Sequence, residues 1–284
     1  MMLNGCAYIL TVDVGNTFIR FGLFAEDSAA AQECPLATCE ITTPSSITAD
    51  EARMRLAQVM GALAADAGMP GALVPTAAVL SCVVPALERP WKAALSRTCT
   101  GRVLTVGPGL KTGMPVHYDD PAEIGPDRIA DAVAARAVYG SPCIVIDLGT
   151  TTNIEVIDAR GTFVGGVIAP GLALGARSLS AAAARLPQVE PSAPTHVIGR
   201  NTREAMRSGV VLGEVARIDG MLDMVLAEMR ATKAAGEGSV PIVITGDDAE
   251  ALAALVGHSL TVDDALTLRG LAELYHINQK PRRA

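Results

Sequence analysis

Apolar and polar positions divide the chain into two alternating kinds of segment. Short apolar runs of strand length recur at YILTVDV (8–14), AAVLSCVV (77–84), RVLTVG (102–107), CIVIDLG (143–149), GGVIAPG (165–171) and PIVITG (241–246). Each is stopped by glycine, proline or a polar turn residue. Between them, apolar residues return at the three-to-four spacing of a helix over 49–68, 125–140 and the long stretch 201–231. Such alternation predicts an α/β protein. Pro126 suits the first position of a helix and Gly140 its stop, while Asn201 followed by Glu204 reads as a capping box. The polar stretch KAAGEGSV (233–240) predicts a surface loop ahead of the strand at 241–246.

One pattern occurs twice. YILTVDVGNT (8–17) is echoed by CIVIDLGTT (143–151), which places Asp13 and Asp147 at equivalent points, each near the end of a strand and just before a glycine turn. The repeat predicts two duplicated α/β lobes, 1–140 and 141–284. Their first hairpins would face each other across a cleft, with a last helix returning to the first lobe. The turn has a chemical use. Glycine lets backbone N–H groups approach phosphate oxygens, the threonine hydroxyl adds a donor, and the aspartate, which phosphate alone would repel, holds a cation or its water shell that meets the phosphate. One such turn by itself reads as an ordinary hairpin; its duplication favours a nucleotide gripped from both sides. There is no GxxxxGK[ST] and no GxGxxG between a strand and a helix, so neither a P-loop nor a dinucleotide fold is supported.

Composition narrows the classes further. The 284 residues suffice for one large domain or two ordinary ones, and with 50 % apolar but only 3 % aromatic residues the core is built from small and aliphatic side chains. A net charge of -7 with scattered Lys and Arg offers no stripe for nucleic acid. The first apolar stretch, CAYILTV (6–12), is too short for a bilayer, lacks a basic lead and runs into Asp13, so no export or membrane insertion is expected. Six cysteines (6, 34, 39, 82, 99 and 143) form no CxxC pair and read as reduced thiols of a cytoplasmic protein; four isolated histidines are assigned no chemistry.

Phosphoryl transfer also needs a group that orients or deprotonates the acceptor. YDDPAEIGPDRIADAV (118–133) offers Asp127, in the first turn of a helix begun by Pro126, with Arg128 beside it. From spacing alone the simpler account is that Asp127 complements the helix dipole, worth about 0.5 kcal/mol at a surface, and that Arg128 is solvated. Asp119, Asp120 and Glu123 read as loop residues. The glycines of GGVIAPGL (165–172) would admit a close ligand, and the helix after IGRNT (198–202) would offer N–H groups to an anion, although its cap alone accounts for the residues.

Taken in order, DVGNT (13–17), GPDR (125–128), DLGTTT (147–152), GGVIAPG (165–171), IGRNT (198–202) and LTLRGL (266–271) resemble the type III pantothenate kinases of the actin-like ATPase and sugar/acetate kinase superfamily. The resemblance covers nearly the whole chain. It implies duplicated ribonuclease H-like lobes with mixed central sheets, and ATP-dependent phosphorylation of pantothenate at its primary hydroxyl, the first step towards coenzyme A. It gives ATP phosphates to Asp13, Val14, Gly15, Asn16, Thr17, Phe18, Ile19 and Arg20, with Asp13 also near magnesium through water, and gives Thr150 a contact to ATP. The proton acceptor is Asp127. Tyr118, Gly125, Pro126, Asp127, Arg128 and Thr202 fall in the substrate site, and Asp147 at a monovalent cation, potassium or ammonium. Family members are homodimers.

Two positions depart from the family pattern: ITGDDAEAL (244–252) has Asp247 where a second glycine is usual, and Phe18 replaces a small polar residue. A bulky ring at 18 would narrow the way to the phosphates, and a carboxylate at 247 would bear on the adenosine. Two other readings stand beside the kinase. One is a non-catalytic accessory or regulatory relative, and the other a superfamily kinase or phosphatase with another substrate. Asp13, Asp127, Asp147 and Thr150 together favour catalysis.

Overall fold

The first apolar run forms β1 (Tyr8–Val14), and the turn after it returns the chain as β2 (Phe18–Ala25), antiparallel to β1 with Val14 opposite Ile19. The computed structural model describes residues 7–27, 33–69 and 73–279; Cys6 lies outside them. The chain divides into two units, Met1–Val138 with Ala265–Ala284, and Tyr139–Asp264.

In the first unit the sheet order is β3-β2-β1-β4-β5, with β3 at Ala37–Thr42, β4 at Ala77–Cys82 and β5 at Val103–Thr105. The first three strands are antiparallel, while β4 runs parallel to β1 and β5 parallel to β4. Parallel neighbours need crossovers. α1 (Ala49–Asp66) and α2 (Pro85–Thr98) supply them. Strand alternation sends Val12, Val14, Ile19 and Phe21 to one face, where they join Leu56, Leu63, Leu87 and Trp91 in a single core; the Phe21 and Trp91 rings stand 5.6 Å apart. The opposite face is covered by α8 (Leu266–Ile277), which packs on β1, β2 and β4 although it is last in sequence. Glycines permit the closeness. A Cβ on Gly22 would sit 3.2 Å from Leu268 Cδ1, and one on Gly270 would sit 1.9 Å from the carbonyl oxygen of Ala130 in α3 (Pro126–Tyr139).

The second unit repeats the plan. Its strands are β6 (Cys143–Leu148), β7 (Thr151–Ile157), β8 (Phe163–Pro170), β9 (Ile242–Gly246) and β10 (Thr261–Val262), in the order β8-β7-β6-β9-β10. Here too three strands are antiparallel and the last two parallel. Position for position this is the first sheet again, so the duplicated α/β architecture with mixed central sheets holds. Ile144, Ile146 and Ile154 pack on Val215, Ile218 and Leu222. Between β8 and β9 lie α4 (Leu172–Ala182), α5 (Thr202–Arg207) and α6 (Gly213–Ala231), and α7 (Ala249–Ala253) follows β9.

Two local readings are corrected. The stretch 201–231 is not one regular helix: a π-helical turn, Ser208–Leu212, separates α5 from α6, and the Ser208 hydroxyl donates to the carbonyl of Val197 at 2.5 Å. The capping box is half-formed. Asn201 Oδ1 accepts from the Glu204 N–H at 3.0 Å, but the Glu204 carboxylate reaches one residue further back and accepts from the N–H of Arg200. Among the described residues no helix is long and apolar enough to cross a membrane.

Candidate active site

Asp13 is the penultimate residue of β1, and strand register builds a polar row around it. Arg20 lies opposite on β2, Glu40 opposite Arg20 on β3, and Ser81 opposite Asp13 on β4. Residues directly opposite share a face, so Glu40, Arg20, Asp13 and Ser81 line up across the sheet. Arg20 Nε donates to Glu40 at 3.0 Å. Asp13 Oδ1 is buried with no hydrogen-bond partner among the described residues, and the hydroxyl of the fully buried Ser81 is in the same condition. Burial is the main cause that pushes the Asp13 carboxyl up to about 6, and the charge of Asp127 adds to it. Ser81, close by but short of hydrogen-bonding geometry, and Arg20 pull the other way.

Asp127 lies in the first turn of α3. Its Oδ1 accepts from the N–H of Arg128 at 2.8 Å, which orients the carboxylate. Gly125 makes room for this arrangement, because a Cβ there would stand 2.4 Å from Asp127 Oδ1. Burial raises the Asp127 pKa, opposed by the N–H and the guanidinium of Arg128. Arg128 is only 5 % exposed, which overturns its reading as a solvated side chain. Asp127 is therefore more than a dipole complement: it is desolvated, oriented, and near enough to Asp13 for its charge to raise the Asp13 pKa.

The chain before α3 carries Asp119, Asp120 and Glu123 exposed on a loop, where Asp120 caps the short 3-10 turn Pro121–Glu123, and it carries Tyr118 half-buried. A cavity of about 310 Å³ opens beside this segment, lined among others by Val106, Leu110, Met114, Ile124, Pro126 and Ile129. It brings apolar surface next to the Asp127 helix terminus.

The turn after Asp13 is closed by the Gly15 N–H donating to the Phe18 carbonyl at 3.0 Å. It is braced from outside, since the Thr43 hydroxyl donates to the Gly15 carbonyl at 2.8 Å and the Thr43 N–H to that of Thr17 at 2.9 Å. Asn16 is exposed and Thr17 half-buried. Phe18 begins β2 opposite Thr42 and is itself half-buried.

In the second unit Asp147 takes the place of Asp13, with Asn153 where Arg20 stands and Thr245 where Ser81 stands. Gly246 (φ 90°) turns tightly beside it: a Cβ there would meet Asp147 Oδ1 at 2.7 Å and the Leu148 carbonyl at 2.1 Å. The left-handed residues of this turn are Gly246 and Asp248 (φ 58°), not Asp247, so the backbone makes no demand for glycine at 247. The Gly149–Thr151 turn is locked by its neighbours. The Gly171 N–H donates to the Thr150 carbonyl, and a Cβ on Gly171 would stand 2.2 Å from the Gly149 carbonyl; that glycine serves close packing within the protein. Thr152 donates to Glu214 at 2.6 Å, and Glu214 pairs with Arg217, which also donates to the Pro170 carbonyl. At the start of α5, Thr202 is exposed, and a Cβ on Gly199 would stand 2.2 Å from the Ala205 nitrogen, so the protein's own backbone and caps fill the place considered for an anion.

Residues 9–224 match the family described as type III pantothenate kinase. A curated type III pantothenate kinase from Koribacter versatilis is 37 % identical over 97 % of this chain and 97 % of its own length, and one from Symbiobacterium thermophilum 39 % identical over 95 % and 97 %. The chain belongs to the type III pantothenate kinase family. A solved structure described as a putative Baf family transcriptional activator from Campylobacter jejuni has a TM-score of 0.56 at 18 % identity over 95 % of this chain and 98 % of that one; a likeness at that level carries the fold alone.

The stretch matched to the type III pantothenate kinases runs from β1 into α6, and so takes in the DVGNT, GPDR, DLGTTT and IGRNT segments. Of the residues given roles by the resemblance, those from Asp13 to Arg20, Tyr118 and Gly125 to Arg128 stand in the first unit, with Asp147, Thr150 and Thr202 in the second. Sequence reading passed over Ser81 and Glu214. Ser81 had a signal, a hydroxyl inside the otherwise apolar run AAVLSCVV; Glu214 had none, being one acid among several on a long helix.

Proposed function

We propose that the protein transfers the terminal phosphoryl group of ATP to the primary hydroxyl of pantothenate, yielding 4'-phosphopantothenate and ADP at the entry to coenzyme A synthesis. The observation that carries this reading is the carboxylate pair Asp13 and Asp127, one with an unpartnered buried oxygen and the other desolvated and oriented, in a chain of this family. Asp127 orients the pantothenate hydroxyl and takes its proton on a carboxylate oxygen as the oxygen–phosphorus bond forms and the bond to ADP breaks. Its raised pKa makes it a better base than an exposed aspartate, though positioning supplies more of the rate. Arg128 holds Oδ1 through its N–H and stands with Gly125, Pro126 and Tyr118 on the substrate side of the first unit; a substrate contact for Thr202 rests on the family resemblance. The turn from Asp13 to Arg20 holds the ATP phosphates in the first unit; a contact of Thr150 to ATP rests on the family resemblance.

Magnesium carried by ATP fits the first unit, because Asp13 Oδ1 is a buried carboxylate oxygen without a hydrogen-bond partner among the described residues, the donor type this ion takes directly or through water. A monovalent cation, potassium or ammonium, is assigned to Asp147 on the family resemblance, its carboxylate being the hard oxygen donor such an ion takes. When bound, these ions neutralise phosphate charge. We further propose a homodimer, supported by apolar side chains left exposed on the second unit: Ile168, Leu174, Leu179, Val197 and Ile198, the last 82 % exposed. A cytoplasmic setting accords with the free thiols of all five described cysteines.

The test is direct. Purified protein with ATP, magnesium, potassium and pantothenate should yield phosphopantothenate by mass spectrometry, and its absence under those conditions overturns the proposal. Light scattering that returns a monomer would remove the dimer.

A further inference from the structure

Two polar atoms in the first unit are buried and unsatisfied at the same place. Asp13 Oδ1 and Ser81 Oγ belong to residues paired across β1 and β4, on one face, and neither has a hydrogen-bond partner among the described residues. Ser81 is 0 % exposed and Asp13 9 %. Buried hydroxyls and carboxylates are nearly always bonded, and an orphan of either kind is costly. Two unsatisfied atoms on paired residues of one sheet face point to a guest that serves both.

The chemistry of the two atoms limits that guest. A carboxylate oxygen accepts hydrogen bonds, and a serine hydroxyl can either accept one or donate one. The guest therefore donates to the carboxylate and either donates to or accepts from the serine, which describes water. A bare water would satisfy both groups but would leave the carboxylate charge uncompensated in a buried setting. A water polarised by a divalent ion donates more strongly and brings the opposite charge. The duplication offers a second sign that the position matters: at the same register in the second sheet Asp147 is faced by Thr245, again a hydroxyl, and only 2 % exposed.

We infer that Asp13 Oδ1 and Ser81 Oγ form a two-point seat for a water of the magnesium ion that accompanies the nucleotide. The seat rests on the proposed role of Asp13 towards magnesium and adds Ser81 to it as a binding residue. Ser81 acts on the metal's water rather than on the nucleotide itself, so its loss separates metal affinity from nucleotide affinity.

The experiment uses the full-length protein, ADP and manganese as a paramagnetic stand-in for magnesium, with free manganese followed by electron paramagnetic resonance. Ser81→Ala should weaken manganese binding in the presence of ADP by about fivefold to tenfold, the effect of one hydrogen bond, while ADP binding without metal stays unchanged. Its melting temperature should hold or rise, because the substitution deletes an orphaned hydroxyl. Ser81→Thr should restore manganese affinity to within about twofold of the unaltered protein. Unaltered manganese affinity in Ser81→Ala overturns the seat, as does an equal weakening of metal-free ADP binding. If Ser81→Ala does not fold, Ser81→Cys is judged by the same two titrations, since sulfur is a weak acceptor. Asp13→Asn distinguishes the two levels: undiminished manganese affinity there removes the role of Asp13 itself, whereas a loss there with none in Ser81→Ala removes only the seat.

Discussion

Gly125→Ala tests the orientation of Asp127 without touching its chemistry. An added Cβ would stand 2.4 Å from Asp127 Oδ1, where ordinary contact begins at 3.4 Å, so the carboxylate must retreat by about 1 Å. The oxygen that must move is the one held by the Arg128 N–H at 2.8 Å, and a displacement of that size breaks the bond. Gly125 has no left-handed backbone that alanine would strain, and its carbonyl goes on accepting from the Ile129 N–H. The fold should therefore survive while the base is misplaced. A misplacement of about 1 Å costs on the order of 100-fold in rate, so kcat should fall by roughly that factor with KM for ATP little changed. Steady-state kinetics at saturating pantothenate, with circular dichroism as a fold control, measures it. A variant that keeps kcat within about threefold would refute the view that Gly125 exists to seat the carboxylate.

Asp127→Asn should lower kcat by at least about 100-fold in the same assay, and near-normal turnover would return Asp127 to capping its helix. Asp13 should make stability pH-dependent. Its carboxyl is raised from 3.8 to about 6 in the folded chain, so its favourable contribution is complete below pH 3.8 and is lost as pH rises through 6, a change on the order of 3 kcal/mol at 1.36 kcal/mol per pH unit. Calorimetry of the ligand-free protein between pH 4 and 7 should show this fall relative to Asp13→Asn, and parallel curves would contradict the burial argument. Gly270→Ala would drive a methyl to 1.9 Å from the Ala130 carbonyl, and an overpacked backbone contact of this kind should cost about 1–3 kcal/mol in urea unfolding; an unchanged midpoint would mean that α8 and α3 slide apart freely. Replacing potassium by sodium should depress the rate if Asp147 holds a size-selective monovalent ion, and equal rates in the two salts would remove that role.

The positions that chemistry demands at the turns were legible in the chain. Asp13 with Gly15 and Asp147 with Gly149 share a strand-then-glycine pattern, and strand and turn preferences are local enough to read from ten residues. The alternation of strands and helices was legible for the same reason, as was the helix from Pro126 to Tyr139 with Asp127 in its first turn. Even the duplication could be read, since it repeats a local pattern. The π turn at Ser208–Leu212 escaped, because a widened helical turn keeps the same apolar period to within one residue.

Tertiary structure alone decided who faces whom. Ser81 meets Asp13 through the register of a parallel strand pair, which a long crossover leaves open and only packing fixes. Arg128 reads as a surface residue beside a helix start until burial reveals it as an enclosed charge. Asp247 looks like a misplaced residue in a glycine turn until the dihedral angles put the left-handed positions at Gly246 and Asp248. In each case the sequence determined what the residue can do through its local preferences. Its surroundings, and with them its charge state and partners, were set by segments far away along the chain.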